Sequence, residues 1–334
     1  MTTIYDVAKK ANVSAMTVSR VINQATTIKE ETRLRVLKAI EELDYIPNRS
    51  ARSLTSKDSK LLSLIITDIT NPFFTSVARG AEDKANEMGY QLVFSNSDEN
   101  IEKESSYIRS AISRGIDGML LVSTGDDSKK NTDLLSKYSI PFVLIDREIQ
   151  GVSTTLITGD NQSGTFRLME HLVQSGHKRI ALVTGPPSIS NIREREASYL
   201  QFLKQENLPY NDVFRTDLTK IKIEPYVEKI LRLPKEQRPT AIFAINNFLA
   251  VKLINQLKTF GINVPEDISV VCFDDPSPIP DYNPFLTVIS QPAYKFGYIG
   301  MEILINRIEG KIDSSSQKIV LPSELLIRQS TRKI

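Results

Sequence analysis

After residue 58, short apolar segments alternate with stretches of helical periodicity, and this alternation narrows the choice of fold more than any other feature of the chain. Segments with the length and composition of buried strands lie at 61–67, 90–95, 118–123, 142–146, 180–184, 241–245 and 268–273. Helical periodicity fills most of the gaps, at 73–88, 102–114, 162–175, 192–207 and 248–260. Strands separated by helices predict right-handed βαβ crossovers and mostly parallel sheets.

The length of this α/β region predicts two lobes, because residues 59–334 are more than one open sheet holds comfortably. Parallel sheets of this kind bind ligands beyond the carboxyl ends of their strands. Polar residues that directly follow the strand candidates are therefore candidate ligand contacts. Asp68, Asp146 and Asp274 stand at such positions.

The first 58 residues differ from the rest in their helical periodicity and in their net positive charge. Three segments with apolar residues at three- and four-residue spacing, 4–11, 15–23 and 30–44, predict helices. These residues hold 10 Lys and Arg against 7 Asp and Glu (10 − 7 = +3), whereas the remainder holds 32 against 33 (32 − 33 = −1). An excess of positive charge at one end of a nearly neutral chain suits a small nucleic-acid-binding module.

Residues 6–21, DVAKKANVSAMTVSRV, have the pattern of a helix-turn-helix. Asn12 suits a turn that requires a positive φ, and Ser14 can cap the second helix. Val18 and Val21 then face the core. The opposite face of that helix is expected to point outward, as a recognition helix requires, and carries Ala15, Met16, Thr17 and Arg20. The alternative is an ordinary three-helix cap whose polar side chains are only solvated.

Composition excludes several other classes of protein. The single cysteine, Cys272, rules out an internal disulfide and fits a reducing compartment. One cysteine and two histidines, His171 and His177, do not supply the ligands of a structural zinc site, and no cofactor is expected. No apolar run reaches the ~18–20 residues of a membrane span, and the N-terminus lacks the layout of a signal peptide. We therefore expect a soluble, cytoplasmic protein.

Several segments closely resemble the lactose-repressor (LacI) family of bacterial transcription regulators. They are TIYDVA at 3–8, TVSRVIN at 17–23, YIPNR at 45–49, DITNPFF at 68–74, GHKRIA at 176–181 and LTVISQP at 286–292. The resemblance runs from residue 3 to about residue 330. It implies an N-terminal all-α helix-turn-helix domain and a two-lobed, periplasmic-binding-protein-like α/β core. It also implies a homodimeric repressor that binds a pseudo-palindromic operator and senses a small molecule, often a sugar.

The resemblance also implies domain boundaries. The helix-turn-helix domain would occupy 1–47, a hinge helix and linker 48–58, and the effector-binding and dimerisation core 59–334. Within the core, lobe 1 would comprise about 59–160 plus 291–320, and lobe 2 about 161–290 plus 321–334. No heptad pattern follows a further strand candidate at 325–328, so we expect a dimer rather than the tetramer of the lactose repressor itself.

Residues of the helix-turn-helix match the DNA-contacting positions of the family. Ala15, Met16 and Arg20 match base-contacting positions, and Arg20 can donate two hydrogen bonds to guanine O6 and N7. Ala15 and Met16 offer only shape and contact with a thymine methyl group. The rest of the predicted set comprises the cap Ser14, the backbone contacts Thr17, Ser19 and Asn23, and the phosphate contacts Tyr5 and Asn48.

Residues 49–55 match the hinge helix of the family. A segment this short is marginal as an isolated helix in water, so it would order only when two copies pack together on DNA. Leu54 matches the leucine that the family inserts into the minor groove. Arg49 and Arg52 would contact phosphates or the groove, and Ala51 lies between them. The alternative for Leu54 is a linker leucine docked on its own core.

The predicted effector site consists of residues at strand ends or at the helix starts after them. It comprises Asp68, Asn71, Phe73, Phe74, Asp146, Arg147, Arg195, Asn246, Asn247, Asp274 and Gln291. By resemblance, Asp146, Arg195, Asn246, Asp274 and Gln291 occupy effector-contacting positions. One of the two phenylalanines is expected to belong to the core instead. Asn247 replaces the aspartate usual in the family, which removes a charge near the cleft.

Plainer roles stay open for some of these residues. Asp274 could cap a loop, and Arg195 could pair with a neighbouring glutamate on an exposed helix. The main alternative class is an enzyme, because α/β sheets with Asp, Arg and Asn at strand ends also suit sugar chemistry. The sequence lacks the phosphate-binding and nucleophile motifs, so we expect no enzyme. A periplasmic binding protein does not fit the DNA-binding head, and a phosphorylated protein corepressor, used by some relatives, is a further candidate partner.

Overall fold

The computed structural model describes residues 2–22, 25, 27–46, 59–276, 284–313 and 315–334. The chain divides into two compact units, Met1–Ser59 and Lys60–Ile334. Some residues with a predicted role in DNA binding lie outside the described residues, namely Asn23, Asn48, Arg49, Ala51, Arg52 and Leu54.

Within its described residues, the N-terminal unit contains three helices, α1 (Ile4–Ala11), α2 (Ala15–Ile22) and α3 (Glu30–Glu42). A capping box of Thr3 and Asp6 starts α1, and Asn12, with a φ of 53°, ends it in the left-handed conformation. The helices pack around a small apolar core of Val7, Ala8, Ala11, Val18, Val21, Val36 and Ala39.

The first lobe of the larger unit is a parallel sheet in the order β11-β5-β4-β3-β1-β2. Its strands are β1 (Leu61–Ile66), β2 (Gln91–Asn96), β3 (Gly118–Leu121), β4 (Phe142–Ile145), β5 (Leu156–Gly159) and β11 (Lys318–Leu321). Its helices are α4 (Pro72–Glu87), α5 (Ile101–Ser113), α6 (Lys129–Lys137) and α11 (Ala293–Ile308). Separate apolar clusters cover the two faces, one beneath α4 and α11 and the other beneath α5 and α6.

Helices α4 and α11 touch through their backbones. A Cβ atom at Gly80 would overlap the carbonyl oxygen of Tyr294, and one at Gly297 would overlap the carbonyl oxygen of Val77. Glycine is therefore required at both positions for the two helices to approach this closely. Around this contact, Phe73 packs edge to face on Phe296 with ring centroids 5.6 Å apart.

The second lobe repeats the topology of the first, in the order β12-β10-β9-β8-β6-β7. Its strands are β6 (Ile180–Thr184), β7 (Val213–Arg215), β8 (Ala241–Ala244), β9 (Ser269–Phe273), β10 (Thr287–Ser290) and β12 (Glu324–Leu326). Its helices are α7 (Asn161–Gln174), α8 (Ser190–Gln205), α9 (Glu224–Arg232) and α10 (Asn247–Thr259). Strand β12 is antiparallel to β10, and the other pairings are parallel.

The chain passes between the lobes three times, after β5, after β10 and after β11. The predicted α/β class with a helical N-terminal unit is confirmed. Among the described residues, no helix is both long and apolar enough to span a membrane. No group of His, Cys, Asp and Glu in the same ranges is placed to hold a metal ion.

Candidate functional site

The second helix of the N-terminal unit presents an exposed face. Met16 keeps 66% of its surface exposed, and Arg20 is exposed one turn further along. Ser14 starts the helix: its hydroxyl accepts a hydrogen bond from the Thr17 amide (3.2 Å) and lies 2.9 Å from the Thr17 hydroxyl. Tyr5, on α1, is 73% exposed. This face has the long side chains that a groove-binding helix needs.

Ala15 lies differently from the outward position that its spacing predicts. It is half-buried and packs against the apolar core of the N-terminal unit. Ser19 and Thr17 are also half-buried, and the Thr17 hydroxyl is engaged with the cap. The exposed side chains of α2 are therefore Met16 and Arg20. The role of Ala15 in DNA binding stays a prediction.

A cleft of about 620 Å³, a figure that includes space open to solvent, lies between the two lobes of the larger unit. Both lobes supply its walls, at the carboxyl ends of their strands, as the topology predicts. The residues that line it are Asp68, Asn71, Phe73, Phe74, Glu99, Asp146, Arg147, Asn191, Ile192, Arg195, Leu218, Ile221, Asn246, Phe248 and Asp274. The structure thus gathers most of the predicted effector residues in one cavity.

Asp146 is the central acid of the first lobe. It follows β4 in the left-handed conformation (φ 67°) and is 4% exposed. Its Oδ2 accepts a hydrogen bond from Asn191 Nδ2 of the second lobe (2.6 Å), and its Oδ1 has no hydrogen-bond partner among the described residues. Burial raises the pKa of Asp146 to about 6, against the opposing charges of Arg195 and Arg147.

Arg147 lines the cleft, but its guanidinium is already occupied. Both terminal nitrogens donate to the Glu99 carboxylate, at 2.7 and 2.6 Å, and Nη1 also donates to the Ser123 carbonyl at 2.9 Å. Burial alone would lower the pKa of Arg147, but the charge and hydrogen bonds of Glu99 raise it. The predicted effector contact by Arg147 is therefore limited to Nε and the second N–H of Nη2, which make no hydrogen bond among the described residues.

Asp274 occupies the equivalent corner of the second lobe. It follows β9, also at a φ of 67°, and is 7% exposed. Its Oδ1 accepts from Gln291 Nε2 (2.7 Å), and its Oδ2 lies 3.8 Å from Arg195 Nη1. Burial raises the pKa of Asp274, whereas Arg195 and the bond from Gln291 lower it. Gln291 itself does not line the cleft and instead holds Asp274 from behind.

Arg195 is buried, not part of an exposed helix face. It is 2% exposed, and its Nε donates to Asn161 Oδ1 (2.8 Å) while Nη1 donates to the Ile245 carbonyl (3.1 Å). Its guanidinium lies 3.9 Å from the ring centroid of Phe273, a cation–π contact. Only Nη2 makes no hydrogen bond among the described residues. The alternative role of a solvated surface pair is wrong for this residue.

Asn247 does not line the cleft, contrary to its predicted role as an effector contact. It is 2% exposed because its side chain pairs with Asn71 of the opposite lobe. Each amide donates to the other, Asn247 Nδ2 to Asn71 Oδ1 at 3.0 Å and Asn71 Nδ2 to Asn247 Oδ1 at 3.3 Å. We call these two residues the amide clasp. The clasp joins the N-termini of α4 and α10 across the cleft.

The remaining predicted residues make hydrogen bonds within their own loop or helix, or pack in the core. Asp68 Oδ1 accepts from the Thr70 amide (2.8 Å), and Asn246 Oδ1 caps α10 by accepting from the Leu249 amide (2.9 Å). Phe73 and Phe74 both line the cleft and both belong to the core, with ring centroids 5.2 Å apart. The expectation that only one of them is a wall is wrong, because the first turn of α4 forms the wall and the core together.

A second set of contacts closes the cleft at its other edge. The Ser190 hydroxyl accepts from the Glu148 amide (2.7 Å), and the Asp126 amide donates to the Ser188 carbonyl (3.0 Å). Arg193 donates to Asp126 Oδ2 at 3.0 Å. Direct hydrogen bonds therefore join the lobes on both sides of the cleft.

Sequence reasoning missed several residues that line the cleft, among them Glu99, Asn191, Leu218, Ile221 and Phe248. Asn191 and Phe248 lie at helix starts after strands, the same signal that identified Asn71, so the pattern could have found them. Glu99 follows an edge strand in a polar loop, and no local signal distinguishes it.

The helical N-terminal unit and the two-lobed core with its polar cleft define a class: transcription regulators with a DNA-binding head and a ligand-binding core. Residues 3–48 match the family described as bacterial regulatory proteins of the lacI family, and residues 169–331 match a periplasmic binding protein-like domain. The chain is 33% identical to the HTH-type transcriptional repressor PurR of Aliivibrio fischeri over 99% of its length and 98% of the relative's.

Two further comparisons agree. The catabolite control protein A of Priestia megaterium is 35% identical, with 99% of each chain covered. The lac repressor dimer bound to operator and the anti-inducer ONPF superposes with a TM-score of 0.83 at 27% identity, with 99% of each chain covered. The chain belongs to the lacI family of bacterial regulatory proteins. It is a DNA-binding transcriptional regulator, not an enzyme.

Proposed function

We propose that this protein is a dimeric operator-binding repressor whose DNA affinity is set by a small polyhydroxylated molecule bound in the cleft. One observation carries the ligand class: buried polar atoms without hydrogen-bond partners converge on the cleft. Among the described residues that line the cleft, these atoms are Asp146 Oδ1, Asn191 Oδ1, Arg195 Nη2 and Arg147 Nε.

The mixture of these atoms favours hydroxyl groups. Two of them that line the cleft, on Asp146 and Asn191, are acceptors, whereas those on Arg195 and Arg147 are donors. A hydroxyl both donates and accepts, so a polyol can satisfy both kinds. Each unsatisfied buried group costs about 1–3 kcal/mol, which a matching ligand would recover. Phe74 and Phe248 add apolar surface against which a sugar ring can pack.

The exposed face of α2 supports the operator-binding part of the proposal. Arg20 can bind a guanine in the major groove through two hydrogen bonds, and Met16 can pack against a thymine methyl group. The predicted contacts of the hinge, including Leu54, complete the expected interface. The similarity to a lac repressor dimer on its operator supports the same mode of binding.

An exposed sheet edge supports the dimer. Strand β2 lies at the end of the first sheet and leaves Val93 and Phe94 38% and 52% exposed. Adjacent apolar side chains on an edge strand mark a surface that a second copy can cover. No feature of the described residues favours a phosphorylated protein corepressor, which stays a prediction from the resemblance.

Two measurements test the proposal. In a mobility-shift assay with genomic fragments of the source bacterium, the protein should retain a few fragments that share a two-fold symmetric sequence. In a thermal-shift screen of sugars and sugar derivatives, a ligand at 100 times its Kd should stabilise the protein by ~2.7 kcal/mol and should also change the mobility shift. Retention of all fragments alike would contradict sequence-specific binding, and a stabilising ligand without effect on DNA would contradict effector control.

A further inference from the structure

The two arginines that line the cleft are both neutralised by carboxylates. Arg147 forms a bidentate ion pair with Glu99, at 2.7 and 2.6 Å, and Arg195 lies 3.8 Å from Asp274. The arginine at the rim, Arg193, pairs with Asp126 at 3.0 Å. An arginine that recognises a phosphate or carboxylate ligand normally presents two parallel N–H groups of its fork. Glu99 takes the end-on pair of Arg147, one N–H from each terminal nitrogen, and leaves Nε–H and the second N–H of Nη2 without a hydrogen bond among the described residues.

The pair of Arg147 and Glu99 is the more decisive of the two. The side chains are 6% and 15% exposed, so the pair is shielded from water and held in one geometry. Glu99 comes from the loop after β2, whereas Arg147 comes from the end of β4. The ion pair therefore joins two loops of the first lobe at the cleft.

Counted together, the charged residues that line the cleft have an excess of negative charge. Its lining contains the acids Asp68, Glu99, Asp146 and Asp274 and only the two arginines, a formal balance of 2 − 4 = −2. The helix N-termini at the cleft, which otherwise attract anions, are partly satisfied from within. Asn71 Oδ1 accepts from the first turn of α4, and Asn246 Oδ1 accepts from the first turn of α10. Helix α8 begins without a side-chain cap, and the hydroxyl of its first residue, Ser190, accepts from the Glu148 amide.

We propose that Glu99 determines the charge specificity of the cleft: by neutralising Arg147 and taking the end-on pair of N–H groups, it restricts the site to neutral polyhydroxylated ligands and excludes sugar phosphates and sugar acids. This inference rests on the proposed function of the cleft as the effector site. It predicts that loss of the Glu99 charge frees Arg147 and converts the cleft into an anion-binding site.

Inorganic phosphate is the probe that tests the conversion. Thermal unfolding is followed as phosphate replaces chloride at constant ionic strength, in wild type, Glu99→Gln and the control Glu102→Gln, which removes the same charge from an exposed position at the start of α5. All three share the N-terminal unit, so phosphate bound there contributes equally. Glu99→Gln should bind phosphate at least about tenfold more tightly than the other two. The double variant Glu99→Gln/Arg147→Gln should lose this gain.

Equal responses of wild type and Glu99→Gln would overturn the proposal, as would a gain that survives the loss of Arg147. A second test uses the wild-type protein and therefore does not depend on whether the variants fold. Calorimetric titration with ribose 5-phosphate and glucose 6-phosphate should give no binding at Kd below about 1 mM. Binding of either tighter than that would overturn the proposal.

These measurements use no DNA, so the two proposals can fail separately. Phosphate rejection together with unselective DNA binding would contradict the repressor proposal alone. Operator binding together with tight binding of a sugar phosphate would contradict only the role of Glu99.

Discussion

The buried carboxyl of Asp146 should make the stability of the protein depend on pH in a direction opposite to that of ordinary ion-paired acids. Its folded pKa is raised to about 6 by burial, whereas an unfolded aspartate titrates near about 3.9. The folded state therefore holds a proton that the unfolded state releases. The resulting stabilisation is complete below the unfolded value and is lost as pH rises through about 6.

Linkage gives the magnitude. With these two pKa values, Asp146 contributes less than about 0.1 kcal/mol to the free energy of unfolding at pH 7 and about 1.4 kcal/mol at pH 5. Asp146→Asn keeps an acceptor for the Asn191 amide but cannot titrate. The difference in unfolding free energy between wild type and the variant should shift by about 1.3 kcal/mol in favour of wild type between pH 7 and pH 5.

Urea unfolding at pH 7, 6 and 5 measures this difference. Taking the difference cancels groups that do not interact with Asp146, including the two histidines whose pKa values burial lowers. Asp127→Asn, at an exposed position, is the control and should show no such shift. A constant difference between wild type and Asp146→Asn across this range would refute the reasoning, because Asp146 would then be ionised in the folded state at pH 5.

Three further predictions concern DNA binding, the amide clasp and coupling. Arg20→Ala should cost about 1–3 kcal/mol on the operator and relax base preference at one guanine per half-site; equal weakening on random DNA in mobility shifts would make Arg20 a phosphate contact. In a double-mutant cycle of Asn71→Ala and Asn247→Ala, urea unfolding should give a coupling energy of about 1–2 kcal/mol for their two hydrogen bonds; additive losses would contradict the clasp. Asp274→Ala should abolish the response of operator binding to effector but leave effector-free affinity within about twofold, since it acts only through the cleft; a wild-type midpoint in operator titrations would place it outside the site.

Much of the fold could be predicted because the buried strands of parallel sheets are continuous apolar runs. Strands β1, β6, β8 and β9 lie within their predicted segments or overlap them closely. Strand β7, with only three residues, and the half-exposed strand β11 were missed, because neither buries enough apolar surface to produce such a run. The buried strands β5 (LITG) and β10 (TVIS) were also missed, because each has four residues of which only two are large and apolar. Helix α6 was missed because its sequence, KKNTDLLSK, is mostly polar.

The candidate site was predictable to the extent that its residues follow strands. Asp146 and Asp274 fit this rule, and the structure places both at the cleft. Asn247 obeys the same rule but is buried against Asn71, a partner 176 residues away that no local pattern indicates. Glu99 is the converse case, because its place at the cleft depends on Arg147 and not on any strand end.

The glycine contact between α4 and α11 has a mechanical consequence. Where side chains separate two helices, they can change rotamer and let the helices shift. The backbones of α4 and α11 are in direct contact, so no side chain can adapt between them. The two helices must therefore turn as one stiff body. Helix α11 begins directly after the second passage between the lobes, and α4 begins at the cleft. A rotation of one lobe on the other is consequently transmitted by the helix pair as a whole, without a change in the angle between α4 and α11.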